Sequence, residues 1–341
     1  MKCLFIGGTG VISTACARLA VERGINLTLW NRGLRGVELP AIVKSATVDI
    51  EDAASAVQVL GHDDFDVVVD WIAYQPTQIE RDLKLFTGRT GHYIFISSAS
   101  AYQKPVPRYP IVESTPLANP YWEYARNKIA CEERLLHAWR EESFPATIIR
   151  PSHTYSEVRF PLAVNSTTRT YTAVNRMRRG KKVIVPGDGS SLWVITHATD
   201  FAKGLIGLLG HPQAQGEAFH ITSDEVMSWD QIYRTTGGAL GVEPKLVHIP
   251  SDFIGACLPE SLGPLHGDKS VSMVFDNSKI KRFVSGYSAV VPFATGIRQT
   301  LAWFDADPSR QLIDEEIDQK WDKVIEAYEK GKTDALQYFH S

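Results

Sequence analysis

The chain has 341 residues, 44% of them hydrophobic and 22% charged, with 36 Lys+Arg against 39 Asp+Glu and a net charge of −3. That balance describes a folded protein with a large core, in one large or two ordinary domains, and offers no bulk positive field for nucleic acid or an anionic membrane. No apolar stretch approaches the roughly 18 residues a transmembrane helix needs. The opening, MKCLFIGGTGVISTACARLA, has a basic residue, an apolar run and small residues, but Gly7, Gly8 and Gly10 interrupt the run where a secretion signal needs an unbroken apolar core. We therefore expect a first strand at residues 2–6, a glycine turn, and a helix over 14–24. Apolar strands follow at 25–30 and 45–50, then an alanine-rich helix begun by Glu51 and Asp52. FDVVVDWIA (65–73), HYIFISSAS (92–100) and FPATIIRPS (144–152) are continuous enough to be strands buried on both faces.

Strands alternating with helical stretches predict an α/β protein built on a Rossmann-type, doubly wound parallel sheet. After about residue 155 the rhythm changes to YTAVNRMRRGKK, the glycine-rich VIVPGDGSSLW, and a returning strand and helix in ITHATDFAKGLIGLLG. We expect residues 1–155 to form the dinucleotide-binding domain, with 193–225 returning to its sheet. Residues 156–192 and 226–341 should form a smaller, interwoven C-terminal substrate lobe, ending in an amphipathic helix with Ile317, Trp321, Val324, Ile325 and Tyr328 on one face. Cys3, Cys16, Cys131 and Cys257 show no CxxC pair and no metal-ligand spacing, so we read them as buried small hydrophobes and expect no metal.

The turn after the first strand carries the first chemical signal. Gly7 permits the tight bend, and Gly10 lets the backbone approach a pyrophosphate on the helix N-terminus, with Val11 and Ile12 expected beside the cofactor. Ser13 takes the third glycine position and is still small enough for close packing. At the end of the second strand an acidic residue would accept from the ribose 2′-hydroxyl of NAD. Asn31 and Arg32 stand there instead, so NADP is the expected cofactor, with NAD as the alternative. Asp49 and Ile50, ending the third strand, are placed for the adenine edge.

The second signal is YWEYARNKIACEERLLHAW, a helical pattern with Tyr124 and Lys128 at i and i+4, on one face. An ammonium beside a phenol stabilises the phenolate, so the pair can exchange a proton with an alcohol or ketone. Taken together, GGTGVIS, Asp49-Ile50, SSASAY, YARNK, RPSHTY and PGDG fall in the order of the extended short-chain dehydrogenase/reductase family, which the chain resembles over almost its whole length. That family comprises NAD(P)-dependent sugar epimerases, dehydratases and reductases. The resemblance implies that Ser98 hydrogen-bonds the substrate oxygen, Tyr124 is the acid/base, and Lys128 binds the nicotinamide ribose. It also implies that Ala73, Pro151 and Ser152 lie along the nicotinamide end of the cofactor.

Two departures narrow the substrate. Ala99 and Ser100 replace the Asp-Glu pair of the sugar-nucleotide dehydratases, and Trp193 stands where nucleotide-sugar enzymes carry a diphosphate-binding arginine; an indole has one donor and no charge. VVDWIAYQP, THATDFA and DNSKIKR further resemble an atypical branch related to chloroplast stem-loop RNA-binding proteins. The sequence thus points to a cytoplasmic NAD(P)-dependent oxidoreductase or epimerase acting on a small carbohydrate-like substrate, with a pocket between Ser98, Tyr124, His153 and the lobe around Trp193. An RNA-associated or regulatory nucleotide-binding protein is the alternative. The basic run Arg176, Arg178, Arg179, Lys181 and Lys182 is expected to be a solvated helix end, so no nucleic-acid partner is expected; a homodimer is left open.

Overall fold

The structure is a computed structural model that describes residues 1–33, 36 and 39–340. Twelve strands run in chain order: β1 (Lys2–Ile6), β2 (Asn26–Asn31), β3 (Lys44–Thr47), β4 (Val67–Asp70), β5 (Tyr93–Ile96), β6 (Ala146–Pro151), β7 (His153–Tyr155), β8 (Lys182–Pro186), β9 (Leu192–His197), β10 (Ala218–Ile221), β11 (Val226–Ser228) and β12 (Lys245–Ile249). The α-helices are α1 (Val11–Glu22), α2 (Ala53–Leu60), α3 (Pro76–Phe86), α4 (Glu123–Glu141), α5 (Tyr171–Arg178), α6 (Ala198–Leu208), α7 (Trp229–Leu240), α8 (Ser251–Cys257), α9 (Pro259–Pro264), α10 (Ser278–Phe283), α11 (Phe293–Asp305) and α12 (Glu315–His340).

The chain divides into two compact units. The first comprises Met1–Thr154, Thr196–Asp224 and Phe275–Val290. It holds a seven-stranded sheet in the order β10-β6-β5-β4-β1-β2-β3, with every pairing parallel. β1 therefore lies between β2 and β4, and the chain winds outward from it in both directions. Such a reversal of strand order opens a crevice at the carboxyl ends of the two central strands, because the crossover helices leave in opposite directions. The pleat of β1 shows why its sequence is apolar throughout. Cys3 and Phe5 enter the core beneath α1 and α6, while Leu4 and Ile6 enter the core on the opposite face. A strand covered on both sides has no polar face to display.

β4 is shorter than its apolar run suggests. Residues 65–73 were expected as one strand, yet it ends at Asp70, whose Oδ1 accepts from the amides of Ile72 (2.6 Å) and Ala73 (2.9 Å). A carboxylate that takes the next two amides turns the backbone out of the ladder.

The second unit comprises Tyr155–Ile195, Glu225–Val274 and the chain from Val291 onward. Phe275–Val290 was expected with this lobe and instead belongs to the first unit, where Ile280 and Tyr287 enter the core under α6. Within the second unit β8 pairs parallel with β12 and β9 antiparallel with β11. Trp193, on β9, is fully buried with its ring 5.0 Å from that of Trp229 and the Lys269 ammonium 4.5 Å above it. It is core of the lobe expected to border a substrate pocket. Cys257 is exposed, whereas Cys3, Cys16 and Cys131 are buried.

The basic run departs furthest from expectation. Arg176 is 1% exposed and bonds Asp318 (2.6 Å) and Asp322 (2.8 Å). Lys181 bonds the same two carboxylates, Lys182 bonds Glu329, and Arg178 bonds Asp305. Asp318, Asp322 and Glu329 are spaced 4 and 7 residues apart on α12, so they line one helical face. Arg176, Lys181 and Lys182 are counter-charges of the C-terminal helix, while Arg178, Arg179 and Lys182 remain exposed, so the expected solvated helix end holds for part of the run and fails at the buried Arg176. Removing one partner of a buried pair strands the other charge. Arg176→Ala should therefore lower stability by about 3 kcal/mol, read as a lower midpoint in urea unfolding, while Arg178→Ala at the exposed pair should change it by less than about 1 kcal/mol.

Candidate active site

A cavity of about 770 Å³ opens in the first unit, within the range that holds a cofactor. Its residues come from the ends of β1, β2, β4, β5 and β6 and from the starts of α1 and α4, so it occupies the crevice that the strand order predicts.

One wall is the glycine turn. Gly7 and Gly8 have φ of +100° and +86°. A Cβ on Gly8 would stand 2.7 Å from Leu29 Cδ2, and one on Gly7 would stand 3.0 Å from Ile72 Cγ2. Both positions demand glycine, for conformation and for space. Gly10 precedes α1, and its amide donates to Ser13 Oγ (2.7 Å). The departure from a third glycine thus adds a bond inside the turn while keeping the helix against the sheet. The N-terminus of α1, with its partial positive charge, borders the cavity through Gly10, Ile12 and Ser13.

The next wall follows β2 and β3. Asn31 Oδ1 accepts from the Gly33 amide (2.8 Å) and its Nδ2 donates to Ser45 (3.2 Å). This small turn carries the exposed Arg32 to the rim. Asp49, Ile50 and Glu51 also line the cavity. Glu51 is already paired, with Arg81 at 2.6 Å and the Gln78 amide at 2.7 Å.

The third wall holds Tyr124 and Lys128. α4 begins at Glu123, placing Tyr124 in its first turn and Lys128 one turn on; both line the cavity. The Lys128 ammonium lies 5.8 Å from the Tyr124 ring centroid and 4.6 Å from that of Phe95. It donates to the carbonyls of Ala73 and Ile96, each at 2.6 Å. Burial pushes its pKa down to about 8, opposed by the nearby Asp70 carboxylate. Asn119, buried ahead of α4, donates to the Ser100 carbonyl (2.8 Å) and accepts from the amides of Tyr121 and Trp122 (both 3.2 Å). It ties the helix that carries Tyr124 to the turn that carries Ser98, where Ser98 Oγ caps the Ser100 amide at 3.2 Å.

Of the residues singled out from sequence, Gly7, Gly10, Ile12, Asn31, Arg32, Asp49, Ile50, Tyr124, Lys128 and Pro151 line this cavity. Val11, Ala73, Ser98 and Ser152 do not. Val11 opens α1, Ala73 serves through its carbonyl, and Ser97 takes the lining place beside Ser98. Ser97 is not a free hydroxyl: it donates to Glu132, which the Arg150 guanidinium also bonds. Sequence reasoning gave no site role to Glu51, Trp71, Ile72, Tyr74 and Gln78, which follow the ends of β3 and β4, although Trp71, Ile72 and Tyr74 lie in the VVDWIAYQP stretch. Asn119 did leave a signal, as a short polar side chain standing just ahead of a helix.

A dinucleotide fits these residues. The turn has no room for Cβ atoms at Gly7 and Gly8, and the buried Trp71 Nε1 and Ser152 Oγ have no hydrogen-bond partner among the described residues. Fold and site together define a Rossmann-type dinucleotide-binding protein. Residues 3–222 match the model of the NAD dependent epimerase/dehydratase family, so the chain belongs to that family and is a nicotinamide-dependent enzyme. It is 23% identical over 290 residues to a 2′-dehydrokanamycin reductase from Streptomyces kanamyceticus, covering 84% of this chain and 80% of the relative. It is 26% identical over 270 residues to a 41 kDa chloroplast stem-loop binding protein from Arabidopsis thaliana, covering 74% and 67%. In fold it is similar to an epimerase from Methanothermobacter thermautotrophicus (TM-score 0.75, 15% identity, 90% and 93% covered). A UDP-glucose 4-epimerase from Thermotoga maritima shares the fold as well (TM-score 0.71, 18% identity, 90% and 99% covered). No helix among the described residues is long and apolar enough to cross a membrane.

The turn generates a direct test. Gly8→Ala forces an L-residue into φ +86° and a methyl into Leu29, which should cost about 1–3 kcal/mol in urea unfolding and weaken nucleotide binding together.

Proposed function

We propose that the protein is an NADP-dependent reductase, or the corresponding dehydrogenase, acting on a ring carbonyl or hydroxyl of a small carbohydrate-like substrate. The observation that carries this reading is that Tyr124 and Lys128 line the same cavity as the glycine turn. The pyrophosphate would be held by Gly7–Ser13, the adenosine by Arg32, Asp49 and Ile50, and the nicotinamide end by Lys128, Pro151 and Ser152. A bound nicotinamide supplies or accepts the hydride.

The chain's own residues manage the proton. In reduction the Tyr124 hydroxyl gives its proton to the carbonyl oxygen; in oxidation the phenolate takes it from the substrate hydroxyl. The Lys128 ammonium favours that phenolate through space. Two of its three N–H groups are committed to Ala73 and Ile96, which fixes its place, and the third serves the cofactor ribose. Ser98, on the turn after β5, stands behind the cavity wall with its Oγ on Ser100, and would reach the substrate oxygen only by turning toward the cavity.

NADP is favoured because Asn31 presents no carboxylate, Arg32 is exposed at the rim, and the neighbouring Glu51 is neutralised by Arg81. Reduction over epimerisation is favoured by the likeness to a relative named as a 2′-dehydrokanamycin reductase. The other relative is named for stem-loop binding. Here four of the five basic residues that could meet phosphates, Arg176, Arg178, Lys181 and Lys182, are paired with Asp305, Asp318, Asp322 and Glu329, which supports a small-molecule substrate over RNA.

Three outcomes follow. In fluorescence titration NADPH should bind more tightly than NADH, and Arg32→Ala should cost NADPH about tenfold, roughly 1.4 kcal/mol, with little change for NADH. Equal wild-type affinities would remove the NADP assignment. Tyr124→Phe should lower kcat by about 10²–10⁴-fold and leave cofactor affinity nearly intact. Because burial depresses the Lys128 pKa to about 8, the ammonium is present below that pH and lost above it. The wild-type rate of reduction should therefore fall as pH rises through about 8.

A further inference from the structure

We propose that Asp70 is the positioning residue and counter-charge of Lys128: its carboxylate shapes the turn that delivers the Ala73 carbonyl to the ammonium, and its negative charge keeps that ammonium protonated. The inference rests on the site proposed above and extends it to a residue beneath the cavity wall. Asp70 is fully buried at the end of β4. Its Oδ1 takes the amides of Ile72 (2.6 Å) and Ala73 (2.9 Å), and the carbonyl of the same Ala73 accepts from Lys128 Nζ at 2.6 Å. One carboxylate thus sets both a ligand of the lysine and the field around it.

The other groups facing Lys128 are neutral or already engaged. On its own helix, burial pushes the Cys131 thiol up to about 12, so it carries no charge at neutral pH. Glu132 is held by Arg150 at 2.6 Å and by Ser97. From β5 come the Phe95 ring and the Ile96 carbonyl. On α3, burial, then the charge of Asp70 and a side-chain hydrogen bond with it, hold the Asp82 carboxyl well above the usual carboxylate range; it also meets the Tyr93 hydroxyl (2.5 Å) and the Arg81 guanidinium (2.8 Å). Arg81 also reaches Asp70, at 3.4 Å, and moderates its charge. A fully desolvated ammonium beside neutral partners would give up its proton near neutral pH. Asp70 opposes that loss.

The two parts of the role separate experimentally. Asp70→Asn keeps an oxygen for the two amides and removes the charge; Arg81→Gln removes the cation that moderates it. The readout is the titration midpoint of the Lys128 13Cε resonance in the full chain without cofactor, assigned by its absence in Lys128→Met. The wild-type midpoint should lie near pH 8. Asp70→Asn should bring it to about pH 7 or lower, at least about tenfold more deprotonated at a given pH, and Arg81→Gln should move it up. A purely structural role would change both variants in the same way. An unmoved or raised midpoint in Asp70→Asn, or shifts of the same sign in the two variants, overturns the inference. Should Asp70→Asn fail to fold by circular dichroism, the Arg81→Gln midpoint decides alone, and a midpoint that stays or falls refutes it. If the midpoints move as expected but the high-pH limb of the rate does not follow them, the assigned role of Lys128 in turnover falls while the inference stands.

Discussion

The site depends on a buried ammonium. Lys128 brings a positive charge into a place with almost no water, and the fold must compensate by hydrogen bonding before the group can do any chemistry. The compensation comes from two carbonyls on two different strand ends, Ala73 after β4 and Ile96 at the end of β5, each at 2.6 Å. These bonds fix α4 relative to the sheet at the point where strand order has opened the crevice. Tyr124, one turn earlier on the same helix, inherits its place from them. So does the order of the neighbouring loops, since Asn119 joins the start of α4 to the turn after β5.

The second unit meets the same problem of buried charge differently. Arg176 is as deeply buried as Lys128, but it is met by carboxylates of α12 rather than by carbonyls. An ion pair neutralises both partners and leaves a stiff, inert junction. A lysine held by neutral carbonyls keeps its charge available to a neighbour. The two cations therefore differ in company more than in burial, and the desolvation of Lys128, whose nearest partners are carbonyls, lowers its pKa to about 8.

Much of this was legible beforehand. The apolar runs with no polar face announced strands covered on both sides, and the glycine turn between a strand and a helix announced where phosphates would lie, because backbone conformation at Gly7 and Gly8 is a local property. Tyr124 and Lys128 were legible for the same reason: helical geometry alone puts i and i+4 on one face. The family assignment over residues 3–222 accords with these local signals.

What the sequence could not determine was the company each residue keeps. Asp70 read as part of an apolar strand, because nothing local tells whether a carboxylate will face water or cap two amides. RMRRGKK read as a solvated helix end, because its partners stand 127 to 147 residues away in the chain. Trp193 read only as a mark of the substrate lobe; it is core, its ring tilted 32° against that of a tryptophan from a later helix. Phe275–Val290 joined the first unit although its neighbours in sequence did not. Local periodicity and turn chemistry determined the elements and the two main motifs. Tertiary structure decided which charges were neutralised and which remained available, because those outcomes depend on burial and on partners brought together from distant parts of the chain.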